Sequence, residues 1–260
     1  MRIYTTKFLC KRGGSSGAGS HGSGGASAAP VDSVRGIPQS QIDMLRGTRG
    51  HVDDISPQMI QEDYARVGIN ISIDEATRIH KAMQDFSGAD DFLTMRKAYA
   101  LELAGQGASL TPNQKQLVDR YKMVLEYTRI APTMKFLDSE TEAYRGLYRK
   151  GNGVYFDSLL AMKPGDMWDM DRLPSSFTTK LDVAEYFAEK GHDKTRIILH
   201  ASKAGLKNSI SISGLSAYPK EDEVLISDFN WKVASVSTET KHSFSLGDIS
   251  VRHIYLEPAS

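Results

Sequence analysis

Between about residues 36 and 137, apolar residues recur at helical spacing. Ala76, Ile79, Met83 and Phe86 fall on one face, as do Leu117, Tyr121, Val124, Leu125 and Thr128. Repeats of three and four predict amphipathic helices. The punctuation agrees: Ser56-Pro57 is a cap with proline in the first turn. Ser72-Ile73-Asp74-Glu75 reads as a capping box. Residues 92–104 are rich in helix formers and stop at Gly105, and Thr111-Pro112-Asn113-Gln114 opens a further helix. These stripes are packing faces, and His80 beside one of them is structural.

After residue 138 the period changes. Segments 143–149, 196–202, 209–213, 223–227, 232–239 and 249–256 are short and β-branched, with Gly, Asn, Pro and Asp between many of them. They predict strands. One helix, 181–190, interrupts them and stops at Gly191. A helical lobe followed by a strand-rich core predicts an α+β fold. The expected division is a segment 1–32 and a domain 33–260, in which 33–137 is the helical lobe and 138–260 the core.

Composition narrows the classes. A chain of 260 residues, 40% hydrophobic and 25% charged, suits one large domain or two small ones. Lysine plus arginine equals aspartate plus glutamate at 32 each, so no global field marks a nucleic-acid or membrane binder. One cysteine, Cys10, argues against a disulfide framework, a cysteine-ligated zinc or a cysteine–histidine centre in the core. No apolar run is long enough to span a bilayer, and the first residues, with Arg2 at the second position, lead to the expectation of neither a secretory signal nor N-myristoylation. Residues 13–29 are nearly all Gly, Ser and Ala, apart from His21. Such a tract buries too little apolar surface to offset its ordering entropy and is expected to be disordered. By composition it fits a linker, a transit peptide or an uncleaved export signal equally. It also matches GxSxG at Gly13-Gly14-Ser15-Ser16-Gly17 and GxGxxG at Gly17-Ala18-Gly19-Ser20-His21-Gly22. Both motifs need a preceding strand and a following helix, so both matches are discarded.

Three segments of the core carry chemistry: Tyr144-Arg145-Gly146 in a strand, Ser175-Ser176-Phe177-Thr178-Thr179 before the interrupting helix, and Tyr218-Pro219-Lys220-Glu221-Asp222-Glu223-Val224-Leu225 as a turn into a strand. Each alone has an ordinary explanation. Arg145 fits a solvated strand, Thr179 with Asp182 a helix cap, and the acidic run a charged turn guarding an edge strand. As an ordered trio they say more. In a strand, Glu221 and Glu223 are expected on one face. Neighbouring carboxylates repel, so such a cluster points to acid/base or cation-stabilising work.

Arg, then Ser-Phe-Thr, then Glu-x-Glu, in that order, resembles the Arg–Ser–Glu class of arginine-specific mono-ADP-ribosyltransferases. This class includes clostridial-type binary toxins and vertebrate cell-surface transferases. Ala184 and Phe187 match the Ala-x-x-Phe that follows the family's serine motif, and 216–225 resembles its turn into the catalytic strand. The resemblance covers about 138 to 258.

The resemblance implies a mixed or antiparallel two-sheet ADP-ribosyltransferase core behind the helical lobe, with NAD as cosubstrate and no metal. Glu223 would hold a ribose hydroxyl of NAD and stabilise the oxocarbenium-like transition state, as a carboxylate does in glycoside hydrolysis. Glu221 would bind and deprotonate the acceptor arginine. Ser176 would hold Glu223, Thr178 and Thr179 would support the pocket floor, and Tyr218 would touch the protein substrate. Arg145 would bind an NAD phosphate or ribose, and Gly146 would offer its backbone to the nicotinamide amide. Two departures stand out. Ser-Phe-Thr replaces Ser-Thr-Ser, and 188–195 lacks the Arg-Pro of some toxins, leaving Lys190 and Arg196 as the nearby cations.

The whole chain is also similar to type III secreted transferase effectors of plant-pathogenic pseudomonads. That implies an export segment at 1–32, delivery into the host cytoplasm, a virulence role, and a monomer acting on host proteins, RNA-binding proteins among them. It implies no direct binding to nucleic acid or membrane. The alternatives are an NAD glycohydrolase with the same residues and a non-enzymatic module that docks host protein.

Overall fold

The computed structural model describes residues 33–50, 52–135, 142–149, 153–168, 174–191, 193–226, 230–243 and 246–259. The expected export segment, with Cys10 and the two discarded motifs, lies outside them, so the division at residue 32 rests on the sequence.

The N-terminal part is helical, as its spacing predicts: α1 (Gln39–Leu45), α2 (Pro57–Arg66), α3 (Ile73–Ser87), α4 (Ala89–Leu101) and α5 (Pro112–Ile130). Four two-residue strands accompany them: β1 (Ser33–Val34), β2 (Ile37–Pro38), β3 (Thr48–Arg49) and β4 (Thr133–Met134). Ser56 caps α2 by accepting from the Met59 N–H at 3.3 Å. Thr111 and Gln114 form a complete capping box on α5. The box predicted at Ser72 is only half formed. Ser72 accepts from the Glu75 N–H at 3.1 Å, but the Glu75 carboxylate pairs with Arg35, a charge-assisted bond stronger than one to a neutral backbone N–H. The helix-forming run to Ala104 does not stay α-helical to its end. After α4 it widens into a π turn, Glu102–Gln106, in which Gly105 takes φ 77°, a conformation glycine adopts without Cβ strain.

Ile79, Met83, Phe86, Tyr121 and Val124 are fully buried, and their core continues into Ile210, Ile212, Leu215 and Leu225 of the strand-rich half. The helices therefore support the end of the sheet where the acidic segment lies. Two hydrogen bonds fasten this contact: Ile55 N–H to the Gly214 carbonyl and Ala217 N–H to Ser87 Oγ, both at 2.9 Å.

The second half comprises β5 (Ala143–Tyr148), α6 (Val154–Leu160), β6 (Met167–Trp168), β7 (Ser175–Thr178), α7 (Leu181–Glu189), β8 (Thr195–Ala201), β9 (Ile210–Ser211), β10 (Glu223–Ile226), β11 (Trp231–Ser243) and β12 (Gly247–Pro258). Eight strands form one mixed sheet in the order β6-β11-β12-β8-β5-β7-β10-β9, in which β8 and β12 are parallel. The expected two sheets exist as two blocks of it. Five strands end at β5, three begin at β7, and a single residue pair, Tyr144 with Thr178, joins them.

β7 was not expected as a strand; its serines and threonines carry little strand signal. The helix cap expected from Thr179 and Asp182 does not form either. Lys180 is the N-cap of α7 without a side-chain bond.

Helix α7 lies directly on β5. A Cβ at Gly146 would stand 1.7 Å from the Ala184 carbonyl oxygen. Since a backbone atom cannot step aside, Gly146→Ala is expected to cost about 3 kcal/mol. In a domain of this size that lowers Tm by roughly 6–12 °C. An unchanged thermal melt would mean that α7 lifts off β5 at little cost.

Candidate active site

Glu223 opens β10 opposite Thr178, and Ser176 stands opposite Leu225 two pairs along. Ser176, Thr178 and Glu223 therefore share one face of the β7–β10 pair. Glu223 is buried, with 8% of its surface exposed. Ser216 Oγ donates to its Oε2 at 3.3 Å, and the Ser176 hydroxyl also hydrogen-bonds the carboxylate. Burial pushes the carboxyl up to about 7. The Ser176 and Ser216 bonds and the Arg145 charge oppose that rise, while the Glu221 charge adds to it. Such a group is poised to change protonation near neutral pH.

Glu221 reaches this neighbourhood by a different route from the expected one. It is not in the strand, so shared strand alternation does not bring the two glutamates together. Pro219–Glu221 form a 3-10 turn, and Asp222 follows in the left-handed region at φ 45°, ψ 52°. Proline at the first turn position favours the tight turn, and aspartate tolerates the left-handed conformation better than most residues. Side chains from β7 and its exit hold the turn. The Thr178 hydroxyl donates to the Glu221 carbonyl at 2.6 Å and accepts from the Lys180 N–H at 3.0 Å. Lys180 Nζ reaches the Asp222 carboxylate at 2.8 Å and the Lys220 carbonyl at 3.1 Å. The Thr179 N–H donates to the Asp222 carbonyl at 3.3 Å.

Glu221 is half-buried. Burial raises its carboxyl above the ordinary range, and the Lys190 charge works against that rise. Lys190 itself lies over the Phe187 ring, 3.9 Å from its centroid.

Arg145 is half-buried in β5, on the same face of the strand as Ala143 and Leu147 of the core. Its positive charge favours the ionised form of Glu223. Gly146 pairs with Ile198 of β8 and takes α7 against its bare Cα. Tyr218 is exposed at 51%, beside Glu221 at the start of the turn, and its N–H donates to Ser216 Oγ at 3.0 Å. Arg196 is committed elsewhere: it is 1% exposed, and its guanidinium binds the carbonyls of Gly191, Asp193 and Thr195. It shapes the loop after α7, which leaves Lys190, of these two cations, as the one acting on Glu221.

The structure thus brings Arg145, Ser176, Thr178, Glu221 and Glu223 together, with Tyr218 at the rim. Ser216 and Lys180 belong to the same assembly and had no role in the sequence. Ser216 heads the acidic segment, but only the fold shows its hydroxyl turned back onto Glu223. Because that bond favours the ionised carboxylate, Ser216→Ala is expected to move Glu223 to a higher pKa. The midpoint of Glu223 titration, followed by carboxyl 13C NMR, should rise; a midpoint unchanged from wild type would remove Ser216 from the site.

No protein-family profile and no curated protein matches the chain. Similar solved structures include the Vis toxin, an ADP-ribosyltransferase from Vibrio splendidus, at 18% identity over 78% of this chain and 83% of that one, TM-score 0.47. The enzymatic component C2-I of the Clostridium botulinum C2-toxin is 14% identical over 76% of this chain and 46% of that one, TM-score 0.44. The ADP-ribosyltransferase HopU1 of Pseudomonas syringae is 16% identical over 55% of each chain, TM-score 0.34. At identities this low, the chemistry of the site is set by this chain's own residues.

Proposed function

We propose that this protein is a mono-ADP-ribosyltransferase that moves ADP-ribose from NAD to an arginine of another protein and releases nicotinamide. One observation carries the proposal: a buried carboxyl, Glu223, is tied by Ser176 and Ser216 and lies within the fields of Arg145 and Glu221. A carboxylate held in that way is suited to stabilising positive charge that builds in a transition state, because it needs no reorganisation when the charge appears.

The donor set fits NAD as cosubstrate. NAD supplies an electrophilic ribose carbon when its bond to nicotinamide lengthens. Glu223 faces the positive charge on the ribose. Arg145 suits a phosphate, since its guanidinium forms paired charge-assisted bonds. Glu221, at the half-exposed turn, receives the acceptor guanidinium, orients it and accepts its proton as the new bond forms. Tyr218 offers an exposed ring to the acceptor protein.

The same proposal takes the acceptor to be a host protein, RNA-binding proteins among the candidates, and residues 1–32 to be an export segment for type III delivery. The Gly/Ser-rich composition of 13–29 and the sequence resemblance support that part.

The test incubates purified protein with labelled NAD and arginine methyl ester, beside Glu223→Gln. A labelled arginine adduct formed by wild type alone upholds the transferase. Nicotinamide release without an adduct, with a plant extract also unlabelled, makes it an NAD glycohydrolase. Neither product from folded protein leaves a binding module.

A further inference from the structure

A cavity of about 490 Å3 lies apart from the glutamates, lined by Glu142, His200, Ser202, Tyr255, Leu256 and Pro258 among others. That volume is in the range of small-molecule sites. None of Arg145, Ser176, Glu221 or Glu223 lines it. It is nevertheless connected to them by one row across the sheet. Glu223 pairs with Thr178, Thr178 with Tyr144, Tyr144 with His200, and His200 with Tyr255.

His200 is 6% exposed and ends a chain of buried polar contacts. Its Nε2 lies 2.8 Å from His253 Nδ1, and His253 Nε2 lies 3.0 Å from Glu239 Oε1. A carboxylate only accepts, so His253 Nε2 carries a hydrogen. In the tautomer in which His253 Nδ1 accepts from His200 Nε2–H, a lone pair is left on His200 Nδ1. Burial, together with the neighbouring His253, holds the His200 pKa below the ordinary histidine value, against the opposing pull of Glu142. This Nδ1 is buried without a hydrogen-bond partner, and so is Ser202 Oγ two residues along β8 and its exit. Buried polar atoms are normally satisfied, and each exception asks for an explanation.

The Glu142 carboxylate stands 3.5 Å from the same Nδ1. Two acceptors facing one another repel, and a donor shared between them turns the repulsion into two hydrogen bonds. Glu257, also at the cavity, adds negative charge, shared with Lys232 at 3.4 Å. The Tyr255 ring lines the cavity 4.3 Å from the His200 ring, an aromatic neighbour for a cation. Among the described residues, no group of three or more His, Cys, Asp or Glu converges as a metal site would require.

We infer that this cavity is a second ligand site for an organic cation, a guanidinium or ammonium head on a short apolar stem. The head donates to Glu142, His200 Nδ1 and Ser202 Oγ, and the stem packs on Tyr255, Leu256 and Pro258.

The test uses full-length protein carrying Glu221→Gln, so that a guanidinium at the catalytic turn does not register, and follows 15N-labelled histidine by NMR. The probes are n-butylguanidinium, n-butylammonium and the neutral n-butylurea. His200 Nδ1 should start unprotonated and shift on adding either cation at millimolar concentration, with n-butylurea at least tenfold weaker. Adding Glu142→Gln, at a side chain 39% exposed, should weaken cation binding at least tenfold without changing Tm. Ser202→Ala should weaken it several-fold. A protonated Nδ1 at the start, no response to either cation, equal binding of n-butylurea, or binding indifferent to Glu142→Gln would each overturn the site.

Discussion

Replacing Glu223 with glutamine is expected to slow turnover of NAD by about a thousandfold and to raise Tm at pH 8. Both effects come from one buried carboxyl. Its folded pKa of about 7 stands above the ordinary value of 4.5. Between those two values the folded protein binds a proton that the unfolded chain has released, so stability falls as pH rises through that window and is level above it. At about 1.4 kcal/mol per pKa unit the ionisation cost is on the order of 3 kcal/mol at pH 8. Glutamine keeps the shape and the bonds from Ser176 and Ser216 but has no charge to bury. The variant should therefore melt several degrees above wild type at pH 8, with the gap closing toward pH 5. A higher melting point together with lost activity is the mark of a site kept at the expense of stability. Equal melting temperatures at both pH values would show that Glu223 ionises without cost and sink this account of the site. Loss of structure in the variant would make Glu223 a folding residue first.

The helical lobe was readable because its signals are local. Ser56, Ser72 and Thr111 announce helix starts, and the Ala76–Ile79–Met83–Phe86 stripe names the buried face. The long strands were readable in kind, but not in length. β11 and β12 extend as a hairpin whose outer residues are exposed and polar, so hydrophobic alternation fades while the backbone ladder continues. β7 was missed because Ser175, Ser176 and Thr178 are small polar residues whose burial depends on partners 45 to 51 residues away.

The same distance limits the site. The order Arg145, Ser176, Glu221, Glu223 was visible along the chain, yet the relation between the glutamates was not. Strand alternation placed them on one face, whereas the fold puts Glu221 in a 3-10 turn and passes through a left-handed Asp222 before the strand begins. Ser216 folding back onto Glu223, and Arg196 spent on backbone carbonyls, are tertiary facts with no local signature.

The turn geometry separates the two glutamates in function, and Glu221→Gln should show it. Transfer to arginine is expected to fall by about 10²–10³-fold, in the range of a lost general base, while nicotinamide release into water stays within about tenfold of wild type. An arginine guanidinium holds its proton far above neutral pH and attacks poorly while charged. A carboxylate beside it both fixes its direction and takes the proton as the bond to ribose forms; water needs less of either. Glu221 is suited to that task by position, half-buried on a turn pinned by Thr178 and Lys180. Its ionisation is a balance: burial raises the carboxyl, and the Lys190 charge lowers it. Lys190→Met should therefore raise the Glu221 pKa and move the acid limb of arginine transfer to higher pH. The acid limb of nicotinamide release, set by Glu223, should stay in place. The two activities measured on the same preparations across pH 5 to 9 decide the matter. If Glu221→Gln lowers transfer and nicotinamide release by the same factor, or Lys190→Met moves both limbs together, the glutamates act as one unit on the ribose. The acceptor arginine must then be held by something other than Glu221.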